Sequence, residues 1–330
     1  MTKIIKINPE KIDTDLLMQA ADVIKRGGLV AFPTETVYGL GADSFNASAV
    51  RKIFAAKGRP VDNPLISHIA RIEELERFSN QIPDSAIKLS EAFWGGPLTM
   101  IFKKKPGIPD EVTAGLDTVA VRLPSHSVAN ELIKLSETAI AAPSANLSGS
   151  PSPTTAQHCI DDLMGRVDMI VDGGNSMIGI ESTVIDMTKE IPVILRPGMI
   201  TPEDFKSVIG EVIYGSDASG APRCPGMKYV HYSPNAEVYL FEGNINSKDI
   251  SSMGKKKCII AKNIETQDSE DTLIYNAGKN DNEYAARLFY LLRKADEDGA
   301  DTVFAQMPED KGIGTALINR LYKAAGGRVL

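Results

Sequence analysis

Cysteine is scarce in this chain: Cys159, Cys224 and Cys258 are odd in number and far apart. That spacing implies neither a disulfide framework nor a cysteine-based zinc site. The four histidines, His68, His126, His158 and His231, form no pair at the spacing of a metal-binding helix. No run approaches the roughly 18 apolar residues of a membrane span. The opening MTKIIKINPE is too short and too interrupted by charge for a signal peptide, so a reducing, cytoplasmic setting is expected. Basic charge is also in deficit. With 36 Lys and Arg against 43 Asp and Glu the net charge is −7, the reverse of the footprint of a chain that coats nucleic acid.

Familiar catalytic motifs are missing too. There is no G-x-x-x-x-G-K-[ST] phosphate cradle, no G-x-S-x-G nucleophile elbow and no H-E-x-x-H. GLGADS, residues 39–44, begins like a dinucleotide fingerprint, but Ser44 stands where the third glycine belongs. GIGTAL, 312–317, fails in the same way at Leu317.

What is present is a long, ordinary globular composition, 43% hydrophobic and 24% charged over 330 residues, enough for two domains. Helical spacing of apolar residues predicts helices over 14–26, 46–57, 84–93, 126–136 and 154–163. Short Val- and Ile-rich runs predict strands at 29–32, 98–102, 118–123, 139–142, 168–172, 182–186 and 192–196. Together they predict an α/β domain with a mixed sheet over 1–210. Residues 211–235 lose all periodicity and read as a linker. Over 236–330, strands at 237–241, 257–261, 272–275 and 301–305 alternate with helices at 282–297 and 314–325, the pattern of a small parallel, Rossmann-like sheet.

The chemistry-bearing residues gather in a few segments. Two apolar strands run into a proline followed by hydroxyls, in LVAFPTET (29–36) and AIAAPSAN (139–146), and ESTVID (181–186) begins with hydroxyls. Open α/β sheets bind ligands at strand ends, where loops aim side chains and free N–H groups into one crevice. AAKGRPVDNPLISHI, 55–69, places Lys57, Arg59, Asn63 and His68 close together around Gly58, Pro60 and Pro64. As an isolated stretch it would be a solvated loop with two surface cations. Arg122 lies inside the apolar strand TVAVRL, where an unpaired cation would cost several kcal/mol to desolvate, and Arg196 ends VILR. An internal salt bridge, or an edge strand facing solvent, is the plainer explanation of Arg122. Lys57, Arg59, Arg122 and Arg196 around hydroxyl-rich loops suit a polyphosphate together with a carboxylate.

The ordered segments FPTETVYGLGADS, KGRPVDNPL, GPLT, VTAGLDTVAVRLP, APSANLSGSPSPT, IESTVID and LRPG resemble the YrdC-like threonylcarbamoyl-AMP synthases. PGMKYVHYSP and GIGTALINRLYKAA are similar to the long, two-domain form of that family. The resemblance implies a YrdC-like twisted mixed sheet followed by the smaller parallel domain. It implies that L-threonine, bicarbonate and ATP give threonylcarbamoyl-AMP and pyrophosphate, with the product feeding t6A modification of tRNA through a separate transferase. Carried onto this sequence, it puts threonine near Thr36, His68, Arg122 and Ser182. It puts ATP near Lys57, Arg59, Asn63, Thr118, Ala142, Ser144, Ser152, Arg196 and Tyr232, with Ala142 acting through its backbone. No protein nucleophile is expected, Lys57 and Arg59 are the candidates for charge neutralisation, and Mg2+ is expected to travel with ATP. Whether His68 acts as a base or only positions substrate is open. The segment holding Pro225, Tyr229, His231, Tyr232 and Pro234 is expected to lie over the site as a lid, with packing on the second domain as the plainer reading. Two other classes stay in play: a non-catalytic RNA-binding or ribosome-associated module, and a carbamoyltransferase.

Overall fold

Side-chain alternation in the strand Val30–Phe32 already divides the first domain's interior in two: Val30 and Phe32 face one way and Ala31 the other. The computed structural model describes residues 1–215, 231–245, 250, 252–265, 269 and 271–330. Among them, eleven strands form the first sheet: β1 (Lys3–Lys6), β2 (Val30–Phe32), β3 (Gly39–Asp43), β4 (Ile66–His68), β5 (Leu98–Lys103), β6 (Thr118–Arg122), β7 (Ile140–Ala142), β8 (Met169–Asp172), β9 (Thr183–Asp186), β10 (Val193–Arg196) and β11 (Ile213–Tyr214). Their spatial order is β1-β8-β2-β3-β7-β4-β6-β5-β9-β10-β11, with parallel and antiparallel pairs mixed. The mixed sheet is the one expected from the run of short apolar segments. The edge strand Ile213–Tyr214 pairs in parallel with β10, so the first sheet runs past the expected limit at 210 and into the segment read as linker.

Helices α1 (Thr14–Lys25), α2 (Ala47–Lys57), α3 (Asp84–Phe93), α4 (Asp110–Thr113), α5 (Ser127–Ser136), α6 (Ala156–Leu163) and α7 (Pro202–Ile209) complete the domain. Val30, Phe32, Ile140, Ala142, Met169 and Val171 join Leu17, Ile24, Leu132 and Ile133 of α1 and α5 in one core. Ala31, Ala141 and Ile170, one residue out of step, join Val50, Ile53, Leu89 and Cys159 of α2, α3 and α6 in another. Beyond β7, the α1/α5 face of the sheet carries only the small apolar cluster Ile66, Ile101, Ala120 and Val184. His68 and Arg122 lie on that part of the face.

The glycines of GLGADS have a packing cause. A Cβ on Gly41 would come within 2.6 Å of Ile140 and 2.8 Å of Phe32, and one on Gly39 within 3.2 Å of Phe32. The Phe32 ring lies across β3 and meets the His68 ring edge-on, centroids 6.1 Å apart at 89°. These glycines make room for an aromatic ring.

The second sheet has the order β12-β15-β13-β14, from Glu237–Phe241, Lys257–Ala261, Thr272–Asn276 and Thr302–Gln306, and every pairing is parallel. It packs with α8 (Asp281–Glu297) and α9 (Ile313–Ala325) around Leu288, Phe289, Leu292, Leu317 and Leu321. The same core takes in Val37 and Ile180 from the first domain. Gly179 runs so close to α8 that a Cβ there would sit 2.4 Å from the Ala285 carbonyl oxygen.

Candidate active site

The register of four short strands builds the floor of a cavity. His68 lies opposite Arg122 across the parallel β4–β6 pair, and opposite Ile140 across the antiparallel β4–β7 pair. Arg122 lies opposite Thr99 of β5, and β5 brings Leu98 beside Thr183 at the head of β9. The loops 33–38, 143–149 and 181–182 wall the space, and His231 and Tyr232 close it from the second domain's side. The cavity holds about 690 Å³ of empty space, part of it open to solvent.

The stretch 55–69 is a helix end folded inward. Lys57 is the last residue of α2, and Gly58 takes a left-handed φ of 63° that stops the helix, as glycine commonly does. The turn buries both flanking cations, Lys57 at 3% and Arg59 at 9% exposure. Lys57 Nζ donates to the Ser144 carbonyl at 2.5 Å, to the Asn146 carbonyl, and to Asn146 Oδ1 at 3.4 Å. Three oxygens of the 143–149 loop thus meet the three N–H groups of one ammonium, and Lys57 shapes that loop from within. Burial pushes its pKa well below the ordinary lysine value, and the Arg59 charge acts the same way.

Arg122 is paired, as the salt-bridge reading of its strand required. Nη2 donates to Glu35 Oε1 at 2.6 Å, Nη1 to Thr36 Oγ1 at 2.9 Å and Nε to the Gly96 carbonyl at 3.3 Å. Among the described residues these use three of its five N–H groups, which leaves one on each terminal nitrogen, the fork that a carboxylate accepts. Burial raises the Glu35 pKa, but the Arg122 charge and hydrogen bond outweigh it and hold the carboxyl below its ordinary value.

His68 Nδ1 faces two carbonyls, Ile66 at 3.1 Å and Ile140 at 3.2 Å, so Nδ1 carries the proton and Nε2 is the lone-pair acceptor. Burial, seconded by Arg122, pushes the ring's pKa down to about 3. His68 is neutral at pH 7.

At the other wall, Ser182 Oγ lies 2.8 Å from Thr99 Oγ1 and 3.1 Å from Arg196 Nη2, while Arg196 Nε donates to the Ser182 carbonyl at 3.1 Å. Glu181 accepts from Ser152 Oγ at 2.6 Å and from Arg320 Nε at 2.9 Å. Burial raises its pKa, and Arg320 and Arg196 more than reverse the shift.

Of the residues expected from the sequence, Thr36, Lys57, Arg59, His68, Arg122, Ala142, Ser144, Ser182, Arg196 and Tyr232 line this one cavity. Ser152 reaches it through Glu181. Asn63 and Thr118 do not line it. Asn63 is 1% exposed behind Arg59, whose Nη2 donates to its carbonyl at 3.4 Å. Thr118 begins β6, about 13 Å along the strand from Arg122 at 3.3 Å per residue. The expected lid is described only in part: Pro225 and Tyr229 lie outside the described residues, whereas His231 and Tyr232 line the cavity. Tyr232 also stacks on Phe289 of α8, centroids 5.0 Å apart, so packing on the second domain and facing the cavity hold together. Sequence reasoning passed over Glu35, Glu181, Asn146 and Arg320. The two glutamates stand beside the hydroxyls of TET and EST, and a buried arginine among hydroxyl-rich loops was the signal that a carboxylate partner had to be near.

Among the described residues no cluster of three His, Cys, Asp or Glu could hold a metal ion, and no helix is long and apolar enough to cross a membrane. Comparison with known proteins bears on both domains. The family model described as "Telomere recombination" matches residues 22–198, and that described as "Threonylcarbamoyl-AMP synthase, C-terminal domain" matches 200–326. The threonylcarbamoyl-AMP synthase of Pyrococcus abyssi is 46% identical, aligned over 100% of this chain and 99% of its own length. That of Bacillus subtilis is 45% identical over 95% of this chain and 94% of its own. The crystal structure of P. abyssi Sua5 complexed with L-threonine superposes with a TM-score of 0.94 at 45% identity, covering 100% of this chain and 99% of that one. A mixed-sheet domain joined to a parallel one around a cavity of arginines and hydroxyls, matched over its whole length by these relatives, places the chain in the two-domain threonylcarbamoyl-AMP synthase family.

Proposed function

We propose that this chain converts L-threonine, bicarbonate and ATP, carried as its Mg2+ complex, to threonylcarbamoyl-AMP and pyrophosphate. The product passes in the cytoplasm to a separate transferase that installs t6A on tRNA. The observation that carries the reading is the fork of Arg122, fixed by Glu35, Thr36 and Gly96 with one N–H left on each terminal nitrogen beside a neutral His68. It suits an amino-acid carboxylate, with Thr36 and Ser182 in reach of a substrate hydroxyl and His68 Nε2 as acceptor for its O–H or N–H.

The chemistry proceeds in two steps. The neutral amine of threonine attacks bicarbonate carbon, a C–N bond forms, and the bicarbonate hydroxyl leaves as water with one amine proton. A carbamate oxygen then attacks the α-phosphorus of ATP, and the bond to the pyrophosphate oxygen breaks. Such displacements need alignment and charge neutralisation rather than a protein nucleophile. Arg59 and Arg196 supply cationic charge. Lys57 acts by holding the Ser144–Asn146 backbone in place, and the carbonyl of Ala142 and the Ser144 hydroxyl face the nucleotide. Asn63, Thr118 and Ser152 belong to the periphery of the nucleotide site. The ion that accompanies ATP is held by its phosphates, since both glutamates near the cavity are committed to arginines. His68 positions substrate; a ring with pKa about 3 is a poor base at neutral pH. At the described end of the expected lid, His231 and Tyr232 meet the nucleotide and exclude water.

The test is pyrophosphate release with each amino acid, with and without bicarbonate. Release should require threonine and bicarbonate together, with serine a poor substrate and valine nearly inert, because a hydroxyl-pairing site rejects an analogue that leaves its buried groups unpaired. Equal turnover of valine, or release independent of bicarbonate, would overturn the assignment.

A further inference from the structure

Two arginines of the second domain reach into the walls of the first domain's cavity. Arg320, on α9, is fully buried. Its Nε donates to Glu181 Oε2 at 2.9 Å, Nη2 to the Glu181 carbonyl at 3.4 Å, and Nη1 to the Pro197 carbonyl at 2.8 Å. Glu181 is also the acceptor for Ser152, so one guanidinium ties together the ends of three site segments: Ser152, Glu181–Ser182 and Arg196–Pro197. Arg320 also lies 6.0 Å above the Tyr232 ring.

Arg293, on α8, does the same for the 147–151 loop. Nη1 and Nη2 make a bidentate pair with Asp162 at 3.1 and 2.7 Å, and Nη2 and Nε both donate to the Pro151 carbonyl at 2.6 and 3.2 Å. Asp162 in turn accepts the Leu147 N–H at 3.1 Å. Lys57 holds this loop from inside the first domain, and Arg293 holds it from outside.

We infer that Arg320 and Arg293 are positioning residues for the nucleotide half of the site, so that the second domain sets the geometry of a cavity whose substrate-facing groups belong mostly to the first. Three features favour this over simple interdomain adhesion. Both contacts end on loops that line the cavity. Both guanidiniums bond to backbone carbonyls as well as carboxylates, so they fix chain position and not charge alone. Both are buried or nearly so, and in low dielectric a fully satisfied network specifies one arrangement. The inference rests on the proposed synthase reading for which ligand occupies that half.

The experiment uses the full chain and its Arg320→Met, Arg320→Lys, Arg293→Gln and Arg293→Lys variants. ATP binding is followed by equilibrium dialysis with ATP alone, and pyrophosphate release is followed at varied ATP and varied threonine. Arg293→Gln should raise the Kd and KM for ATP at least fivefold and leave the KM for threonine within twofold. Arg320→Met should raise both KM values, because it frees Ser182 as well as Ser152. The lysine variants keep the charge but not the fork and should restore less than half of each loss. Arg293 is less deeply buried than Arg320, its side chain 11% exposed, so its variants keep the test alive if Arg320→Met does not fold. Variants with a lowered Tm but unchanged Kd and KM for ATP would reduce both arginines to adhesion and overturn the inference, as would full rescue by lysine. A wild-type chain that binds ATP but releases no pyrophosphate counts against the synthase reading, and the dialysis arm still decides the inference.

Discussion

Acidification from pH 7 to pH 5 should destabilise this fold, and His68 accounts for a separable share of the loss. The ring is buried against Phe32 and Arg122 with its pKa at about 3, whereas an unfolded chain returns it to about 6.5. Between those two values the unfolded state binds a proton that the folded state does not. The free energy of unfolding therefore rises with pH across the window, and is lost as pH falls from about 6.5 towards 3. For one such site the loss between pH 7 and pH 5 is about 1.9 kcal/mol. His158 and His231, pushed down to about 4 chiefly by burial, titrate in the same direction and add to the total. Glu35 and Glu181, with lowered pKa values, add their loss at lower pH, as carboxylates do. The perturbation that isolates His68 is His68→Gln, which cannot titrate. Its stability at pH 7 will be lower, but the quantity to read is the pH dependence. Urea unfolding followed by circular dichroism at pH 5, 6 and 7 should show that dependence reduced by about 1.9 kcal/mol against wild type. An unchanged dependence would mean that His68 takes up its proton in the folded state, and the acceptor role given to Nε2 would fall with it.

Glu35→Gln should cost about 3 kcal/mol, the low end for breaking a buried ion pair because the amide keeps a hydrogen bond, and should raise the KM for threonine tenfold or more with little change for ATP; urea unfolding and pyrophosphate release read the two effects. Tyr232→Ala removes a stacked partner of Phe289 as well as a cavity wall, so it should cost about 1 kcal/mol of stacking and raise the KM for ATP severalfold. An unchanged KM for ATP there would remove the lid end from the site.

Elements that bury a continuous apolar run were legible from sequence. Leu98–Lys103 and Lys257–Ala261 were expected within a residue, because mostly apolar short runs suit a strand covered on both faces, and each buries five residues in succession. Gly39–Asp43 was weighed only as a dinucleotide fingerprint and rejected, and not read as a strand, since what justifies its glycines is the Phe32 ring, which is remote from them in any local pattern. Ile66–His68 escaped notice as a strand because three residues behind two prolines give no period to count. In the site, the cations were conspicuous against apolar neighbours, but their partners were not. Lys57 bonds to carbonyls, which every residue has and no sequence advertises. Arg320 sits in INRLYKAA, where a charged residue on an amphipathic helix ordinarily faces water, and only the first domain's Glu181 makes it an interior one.

The order of strands in the first sheet has a consequence for how the chain comes off the ribosome. Lys3–Lys6 pairs with Met169–Asp172, and Leu98–Lys103 finds its parallel neighbour in Thr183–Asp186. At roughly 5–20 residues per second the first strand waits on the order of 10–30 s for its partner, and during that time its edge is open to other chains. Holdase protection of the nascent chain should matter more here than for a hairpin-built protein of equal size. The last turn added to the site, the Arg320 contact, comes from the final helix. Premature termination before Ile313–Ala325 therefore releases a chain with its arginines and hydroxyls in place around a pocket that has lost one of its walls' anchors.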